Sequence, residues 1–192
     1  MRRVGLLSAV VVLATACGPE ELTVLSEADL PEEIYGPPAP TPSPEQIPAN
    51  GRLFFVRKGR LEPATTKLQP VLDSVEEALL VALFQGPRSA ETSTEIPEGT
   101  RLNGVVVVNG IATVDVSTDF ELPADPRSQA LRIAQVVYTL IDPTTGIRSV
   151  RFQIDGVDQV AIGGAQLGTI PGPVDRDDYV RFAPRGEKRT AA

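Results

Sequence analysis

A short apolar stretch interrupted by Asn109-Gly110 constrains the fold more than any other feature of this sequence. Val105–Val108 precede the pair and Ile111–Val116 follow it, and Asn-Gly accepts the positive φ angles of a type I′ turn. A two-residue loop pairs Val108 with Ile111 and Val107 with Ala112. Alternation along the two strands then places five side chains on one face, which we predict to point to the core. These side chains are Val105, Val107, Ala112, Val114 and Val116.

Two helices and two further strands are predicted around this hairpin. Leu53–Val56 is typical of a short buried strand, and Arg148–Ile154 alternates apolar and polar residues as a half-buried strand does. A first helix is predicted over Pro70–Gln85. A second helix is predicted over Pro126–Ile141, with Asp125 as its N-cap.

The predicted element order is therefore strand, helix, hairpin, helix, strand, with Val157–Ile162 as a returning edge strand. This order predicts an α+β fold, a two-layer sandwich with two helices on one face of a small mixed sheet. Its parallel pairings would come from right-handed crossovers. Residues 163–192 are expected to wrap the outside and to end in a polar tail.

The N-terminus has the features of an export signal. Arg2 and Arg3 precede the apolar run Val4–Leu13, and small residues lead into Cys17, the single cysteine of the chain. This arrangement resembles the bacterial lipobox, in which the cysteine is acylated and becomes the first residue of the mature protein. We predict a lipoprotein signal peptide at residues 1–16 and lipid attachment at Cys17. Ordinary secretion and a retained helix are the alternatives, although a membrane span needs about 20 apolar residues.

Residues 17–50 differ in composition from the rest of the chain. From residue 18 to residue 50 there are seven acidic residues, eight prolines and no Lys or Arg. Such a segment cannot bury enough apolar surface to offset its conformational entropy. We predict a disordered tether that holds the folded domain away from the extracytoplasmic face of the cell membrane.

Several kinds of chemistry are excluded by composition. The chain has no histidine, so it can form neither a Ser-His or Cys-His catalytic pair nor a zinc site with a histidine ligand. Residues 51–192 carry 16 basic and 18 acidic side chains, whereas nucleic-acid-binding domains have a basic surface. We therefore expect no enzyme activity, no cofactor, no metal site and no nucleic-acid partner.

Carboxylates are the remaining candidates for chemistry. The groups close in sequence are Asp115 with Asp119, Asp155 with Asp158, and Asp175 with Asp177 and Asp178. Paired acids can hydrolyse glycosides, and acidic loops can bind calcium. Asp175, Asp177 and Asp178 lack the loop spacing of a known calcium site, so a solvated acidic stretch is the favoured interpretation. For the others we favour a solvent-exposed Asp115, an Asp119 that begins a turn, and a glycine turn shaped by Asp155 and Asp158.

Six segments carry a further resemblance through their order and spacing. They are Arg52–Val56, Val75–Pro87, Ile96–Thr100, Asn109–Phe120, Gln135–Leu140 and Val150–Gly156. Together they resemble the sporulation and spore-germination (GerMN) domain family, and we predict a GerMN-like domain at residues 51–162. The resemblance implies an extracytoplasmic module, often part of a lipoprotein, that is not an enzyme and that builds or docks onto envelope assemblies. This chain has one copy, where the germination prototype has a tandem pair.

One face of the predicted sheet has no helix to cover it. The candidate interaction residues on this face are Phe54, Val56, Val106, Val108 and Ile111. Either residues 165–182 cover the face, with Tyr179 and Phe182 as plugs, or a partner does, since contiguous exposed apolar area marks an interaction site.

The predicted function follows from the anchor, the tether and the missing catalytic groups. We expect a lipid-anchored, non-catalytic interaction module of the cell envelope with a role in sporulation, germination or cell-wall processes. Its partners would be the membrane, through Cys17, and an envelope protein or cell-wall polymer. The alternative is a binding protein for a small molecule or a cell-wall glycan.

Overall fold

The computed structural model describes residues 50–68, 74–143 and 145–186. The predicted signal peptide, Cys17 and all of the tether before residue 50 lie outside these residues, so the lipid anchor stays a prediction. The start of the first predicted helix and the last residues of the tail also lie outside them. Neither described α-helix has the length and hydropathy that a membrane span requires.

The first two strands form a hairpin. β1 (Asn50–Arg57) pairs antiparallel with β2 (Arg60–Lys67) through Lys58-Gly59, whose φ angles are 51° and 71°. All residues of Leu53–Val56 are buried, and a strand buried on both faces is an unbroken apolar run in the sequence. β2 is missing from the predicted elements because its sequence is mostly polar and includes Pro63, which is unfavourable inside strands.

A four-stranded sheet has the order β3-β4-β5-β6. Its strands are β3 (Leu102–Val108), β4 (Ile111–Val116), β5 (Ser149–Ile154) and β6 (Val157–Gln159). β3 and β4 are antiparallel in the predicted register, with Val108 opposite Ile111 and Val107 opposite Ala112. β4 and β5 are parallel, whereas β5 and β6 are antiparallel, so the sheet is mixed as predicted.

The first helix, α1 (Val75–Phe84), begins after Ser74. The hydroxyl of Ser74 accepts a hydrogen bond from the amide of Glu77 at 3.0 Å, which satisfies one of the unpaired amides at the start of the helix. The predicted start at Pro70 lies outside the described residues. Its predicted end at Gln85 agrees with the structure, where Gln85 is the C-cap.

The second helix, α2 (Pro126–Leu140), lies at the centre of the fold. Asp125 is its N-cap, as predicted, and its carboxylate accepts hydrogen bonds from two first-turn amides at 2.9 and 3.2 Å. α2 connects β4 to β5, as a parallel pair of strands requires. Every residue from 130 to 140 is buried, because α2 packs against several elements, among them α1 and β1.

The inner face of the four-stranded sheet contributes much of the core. Its buried side chains are Ala112, Val114, Val116, Val150, Phe152 and Ile154. Val105 is half-buried and Val107 is 41% exposed. The predicted inner face is therefore right along β4 and wrong at Val107, because this residue lies at the exposed tip of the hairpin.

The chain after β6 forms a small hairpin, β7 (Ala161–Gly163) and β8 (Gly168–Ile170), and a 3₁₀ turn at Asp177–Phe182. Tyr179 and Phe182 are buried, and their turn packs against α2 and β2. The described strands divide into three sheets, and the fold class is α+β as predicted.

Candidate functional site

The outer face of the four-stranded sheet is open to solvent at one end. Val106 and Val108 of β3 are 62% and 59% exposed, and Ile111 of β4, which pairs with Val108, is half-buried. The structure thus brings together three of the five predicted interaction residues. We call Val106, Val108 and Ile111 the valine patch. Their neighbours in the register, Thr113 and Arg151, are polar and only partly buried.

Phe54 and Val56 do not belong to this face, and their predicted exposure is wrong. They are 0% and 5% exposed and lie on β1, which belongs to a different sheet. The ring of Tyr138 packs edge-on against Phe54 with 5.5 Å between centroids. The guanidinium of Arg176 lies 5.4 Å from the Phe54 centroid. Helix α2 and the C-terminal segment therefore cover Phe54, while the valine patch stays exposed.

The valine patch adjoins an open strand edge. β3 is an edge strand of its sheet, and proteins usually protect such edges with charged residues, prolines or covering elements. β3 contains neither a charged residue nor a proline, and Val107, between the two patch valines, is also exposed. An edge strand that has no charged residue or proline and lies beside an apolar patch is suited to the addition of a strand from another protein.

Two of the candidate acids, Asp115 and Asp155, stabilise a turn. The side-chain amide of Asn103 donates a hydrogen bond to Asp155 at 2.9 Å. The main-chain amide of Gly156 donates to the carboxylate of Asp115 at 3.0 Å. These bonds hold the β5–β6 turn against the ends of β3 and β4, which is the turn role that the sequence favours.

The other candidate acids also have local partners. Asp119 accepts a hydrogen bond from the hydroxyl of Ser117 at 3.1 Å. The amide of Asp177 donates to Asp175 at 2.8 Å, and the amide of Asp175 donates to Asp178 at 2.9 Å. Burial raises the pKa of Asp178. Within residues 50–68, 74–143 and 145–186, no group of three or more His, Cys, Asp or Glu side chains is arranged to hold a metal ion.

Two buried polar side chains of α2 bond to the main chain of β1. Gln135 and Thr139 are 0% and 1% exposed. The hydroxyl of Thr139 accepts from the amide of Phe54, and the side-chain amide of Gln135 donates to its carbonyl. Sequence reasoning did not identify Gln135, although a glutamine between Ala134 and Val136 in an apolar helix is a recognisable signal. These contacts fix β1 on α2.

A half-open cavity of about 250 Å³ lies between α2 and β5. Phe120 and Phe152 line it, with their rings stacked at 6.0 Å. Arg132 also lines it, although only 6% of this residue is exposed, and it donates hydrogen bonds to the carbonyls of Glu95, Phe120 and Leu122. Burial lowers the pKa of its guanidinium. Arg132 joins three main-chain segments, which is a structural role.

Comparison with known proteins identifies the family. The family model described as Germane, sporulation and spore germination, matches residues 52–160. The chain belongs to the Germane family. This confirms the resemblance drawn from the sequence. A comparison with curated proteins finds no match.

Two solved structures resemble the Germane domain of this chain. The first GerMN domain of the sporulation protein GerM from Bacillus subtilis matches with 19% identity and a TM-score of 0.52, over 68% of this chain and 100% of that chain. The tandem GerMN domains of the same protein match with 18% identity and a TM-score of 0.51, over 67% of this chain and 46% of that chain. At these identities the likeness shows the fold.

The matched Germane region contains the valine patch and the open edge of β3, since both lie before residue 160. Arg176, Tyr179 and Phe182 lie beyond that region. The cover over Phe54 is therefore partly supplied by chain outside the Germane match, whereas the exposed surface belongs to the Germane domain.

Proposed function

We propose that this protein is a lipid-anchored, non-catalytic Germane module of the bacterial cell envelope, which binds an envelope protein or cell-wall polymer during sporulation, germination or cell-wall assembly. The observation that carries the proposal is the exposed valine patch beside the open edge of β3 in a member of this family. Exposed apolar area and unpaired strand edges both favour a bound partner.

The hydrogen bonds of the candidate acids support the proposal that the protein is not catalytic. Asp119 and Asp175 accept hydrogen bonds from groups two residues away, and Asp115 and Asp155 accept hydrogen bonds that join the β5–β6 turn to the ends of β4 and β3. With no histidine in the chain and its single cysteine at the predicted anchor, neither of these residue types is available for general acid–base or nucleophilic catalysis.

Photo-crosslinking in living cells tests the interaction surface. A photoreactive residue at Val106 should yield a defined adduct with an envelope component. The matched control is the same residue at Glu98, which is exposed and lies in the loop before β3. Adducts of equal yield and identity at both positions, or none at Val106, would contradict the proposed surface.

The anchor requires a separate experiment. The mature protein should lack residues 1–16 and carry acyl chains on Cys17, which intact-mass measurement of membrane extracts detects. Cys17→Ser should abolish the acyl mass and release the protein from the membrane fraction after cleavage, or leave it unprocessed. A mature wild-type chain that still begins at Met1 and carries no acyl mass would overturn the anchor without affecting the interaction surface.

A further inference from the structure

A groove of about 710 Å³ lies beside the β1–β2 hairpin and shares no lining residue with the valine patch. Its charged lining comprises Arg52, Arg57, Lys58, Arg60, Arg185 and Glu62. Five cations and one acid therefore share one concave surface. Composition alone does not account for this excess, because residues 51–192 have slightly more acidic than basic side chains.

Only Arg57 among these cations has acidic partners among the described residues. It pairs with Glu62 at 2.9 Å and with Glu91 at 2.7 Å, and the hydrogen bond and charge of Glu62, together with the charge of Glu91, raise its pKa. The other four form no ion pair with a described carboxylate. With four cations that pair with no carboxylate of the described chain, the groove has a positive potential suited to an anion.

Three parts of the chain meet at this groove: the β1–β2 hairpin, the C-terminal segment and the start of α2. The β1–β2 register places Arg57 opposite Arg60. The guanidinium of Arg60 donates to the carbonyl of Ala183 at 3.3 Å, which brings Arg185 to the groove. Arg127, in the first turn of α2, donates to the carbonyl of Gly59 at 2.9 Å and adds a further cation at the hairpin turn. Contacts far apart in sequence thus hold the cluster in place.

Lys58 is the most informative member of the cluster. Its φ angle is 51°, in the left-handed region that glycine and asparagine adopt more readily than lysine. The residue is exposed, so neither packing nor backbone preference explains a lysine at this turn. Its ammonium group adds one cation to the lining of the groove.

We propose that this groove binds a linear phosphodiester polymer of the cell envelope. Arginine forks pair with phosphate oxygens, and a chain with one negative charge per repeat can contact several of them at once. A concave groove favours a flexible polymer over a planar bilayer. The inference deepens the proposed function by naming a partner class, and it assigns that partner to a second surface rather than to the valine patch.

Binding of fluorescent poly(glycerol phosphate) to the full chain in nonionic detergent tests the proposal. We expect affinity to fall steeply from 50 to 200 mM salt, because phosphate contacts release counterions. Lys58→Asn with Arg185→Gln should weaken binding about tenfold for each lost contact. The thermal midpoint should not fall, because asparagine suits the backbone at position 58. Arg101→Gln is the matched control for Arg185→Gln alone, since each removes one exposed cation and Arg101 lies outside the groove.

Four outcomes would overturn the assignment. They are undiminished binding by the double variant, a loss in Arg101→Gln equal to that in Arg185→Gln, equal competition by micellar phosphatidylglycerol at matched phosphate, and equal competition by a peptide of residues 18–49. The last two would point to lipid or to the chain's own acidic segment as the occupant. If the polymer still binds but crosslinking at Val106 fails, the valine patch is rejected as an interaction surface and the groove is retained as the polymer site.

Discussion

The main-chain amide of Phe54 donates a hydrogen bond to the hydroxyl of Thr139 at 3.2 Å, across 85 residues of sequence. One helical turn earlier, the side-chain amide of Gln135 donates to the carbonyl of Phe54 at 3.1 Å. β2 pairs with the other edge of β1. At Phe54, two side chains of α2 therefore take the place of a neighbouring strand, and they satisfy main-chain groups that burial would otherwise leave unpaired. Two residues further along the same edge, Val56 pairs with the main chain of Ser93.

Thr139→Val should test this replacement directly. Valine has nearly the shape of threonine but cannot accept a hydrogen bond, so the buried amide of Phe54 would lose its partner. We expect a loss of about 1–3 kcal/mol in the free energy of unfolding, measured by urea denaturation. Thr139→Ser retains the hydroxyl and serves as the control. A loss in Thr139→Ser with none in Thr139→Val would show that the methyl group, not the hydrogen bond, is responsible.

The corrected position of Phe54 leads to a second prediction. Phe54→Ala should reduce the free energy of unfolding by about 3–5 kcal/mol, because it removes a fully buried ring that contacts Tyr138. Val106→Ala should change it by no more than about 0.5 kcal/mol, because Val106 is exposed. Thermal or urea unfolding of the two variants measures the contrast. Similar losses of unfolding free energy in both variants would contradict the prediction, because they would mean that Phe54 and Val106 are equally buried.

A third prediction concerns the Asn109-Gly110 turn. Gly110 has a φ angle of 77°, so Gly110→Ala should destabilise the hairpin by about 1–2 kcal/mol. Gly104→Ala is the control within the same hairpin, since Gly104 does not have a positive φ and a Cβ there would meet nothing within 4 Å. We expect that control to be neutral or stabilising by about 0.4–1 kcal/mol, by urea denaturation. A neutral Gly110→Ala would contradict the type I′ turn.

Local signals explain which parts of the fold could be predicted from the sequence. The type I′ turn at Asn109-Gly110 sets the register of β3 and β4 within a few residues. Asp125 and the proline after it mark the start of α2 in the same way. In both cases the residues that determine the structure are neighbours in the chain, so the pattern and the structure agree.

Long-range contacts explain the errors. The apolar run Leu53–Val56 was compatible with a strand that has one open face, but whether its residues are covered depends on Tyr138 and Arg176, far along the chain. The basic groove is similar, because Arg185 lines it two residues after Ala183, whose carbonyl accepts a hydrogen bond from Arg60, 123 residues earlier. Because these residues meet only in the folded chain, no local sequence pattern predicts the groove.

Tyr179 provides the last prediction, through its burial. The residue is 0% exposed, and its hydroxyl has no hydrogen-bond partner among the described residues. Burial, followed by the charges of Asp178 and Asp175, raises the pKa of Tyr179 far above its ordinary value of about 10. In the folded protein the phenol therefore stays neutral at a pH where the unfolded chain has ionised.

The sign of the resulting pH effect follows from proton binding. Above about pH 10 the unfolded state releases a proton that the folded state keeps, so the free energy of unfolding should fall by about 1.4 kcal/mol per pH unit. Below that pH the contribution is fully present. Tyr179→Phe should remove this part of the alkaline loss and cost little at pH 7, because the missing hydroxyl made no hydrogen bond with the described residues. Urea unfolding at pH 7 and pH 11 compares the two proteins, and parallel pH profiles would show that Tyr179 ionises normally in the fold.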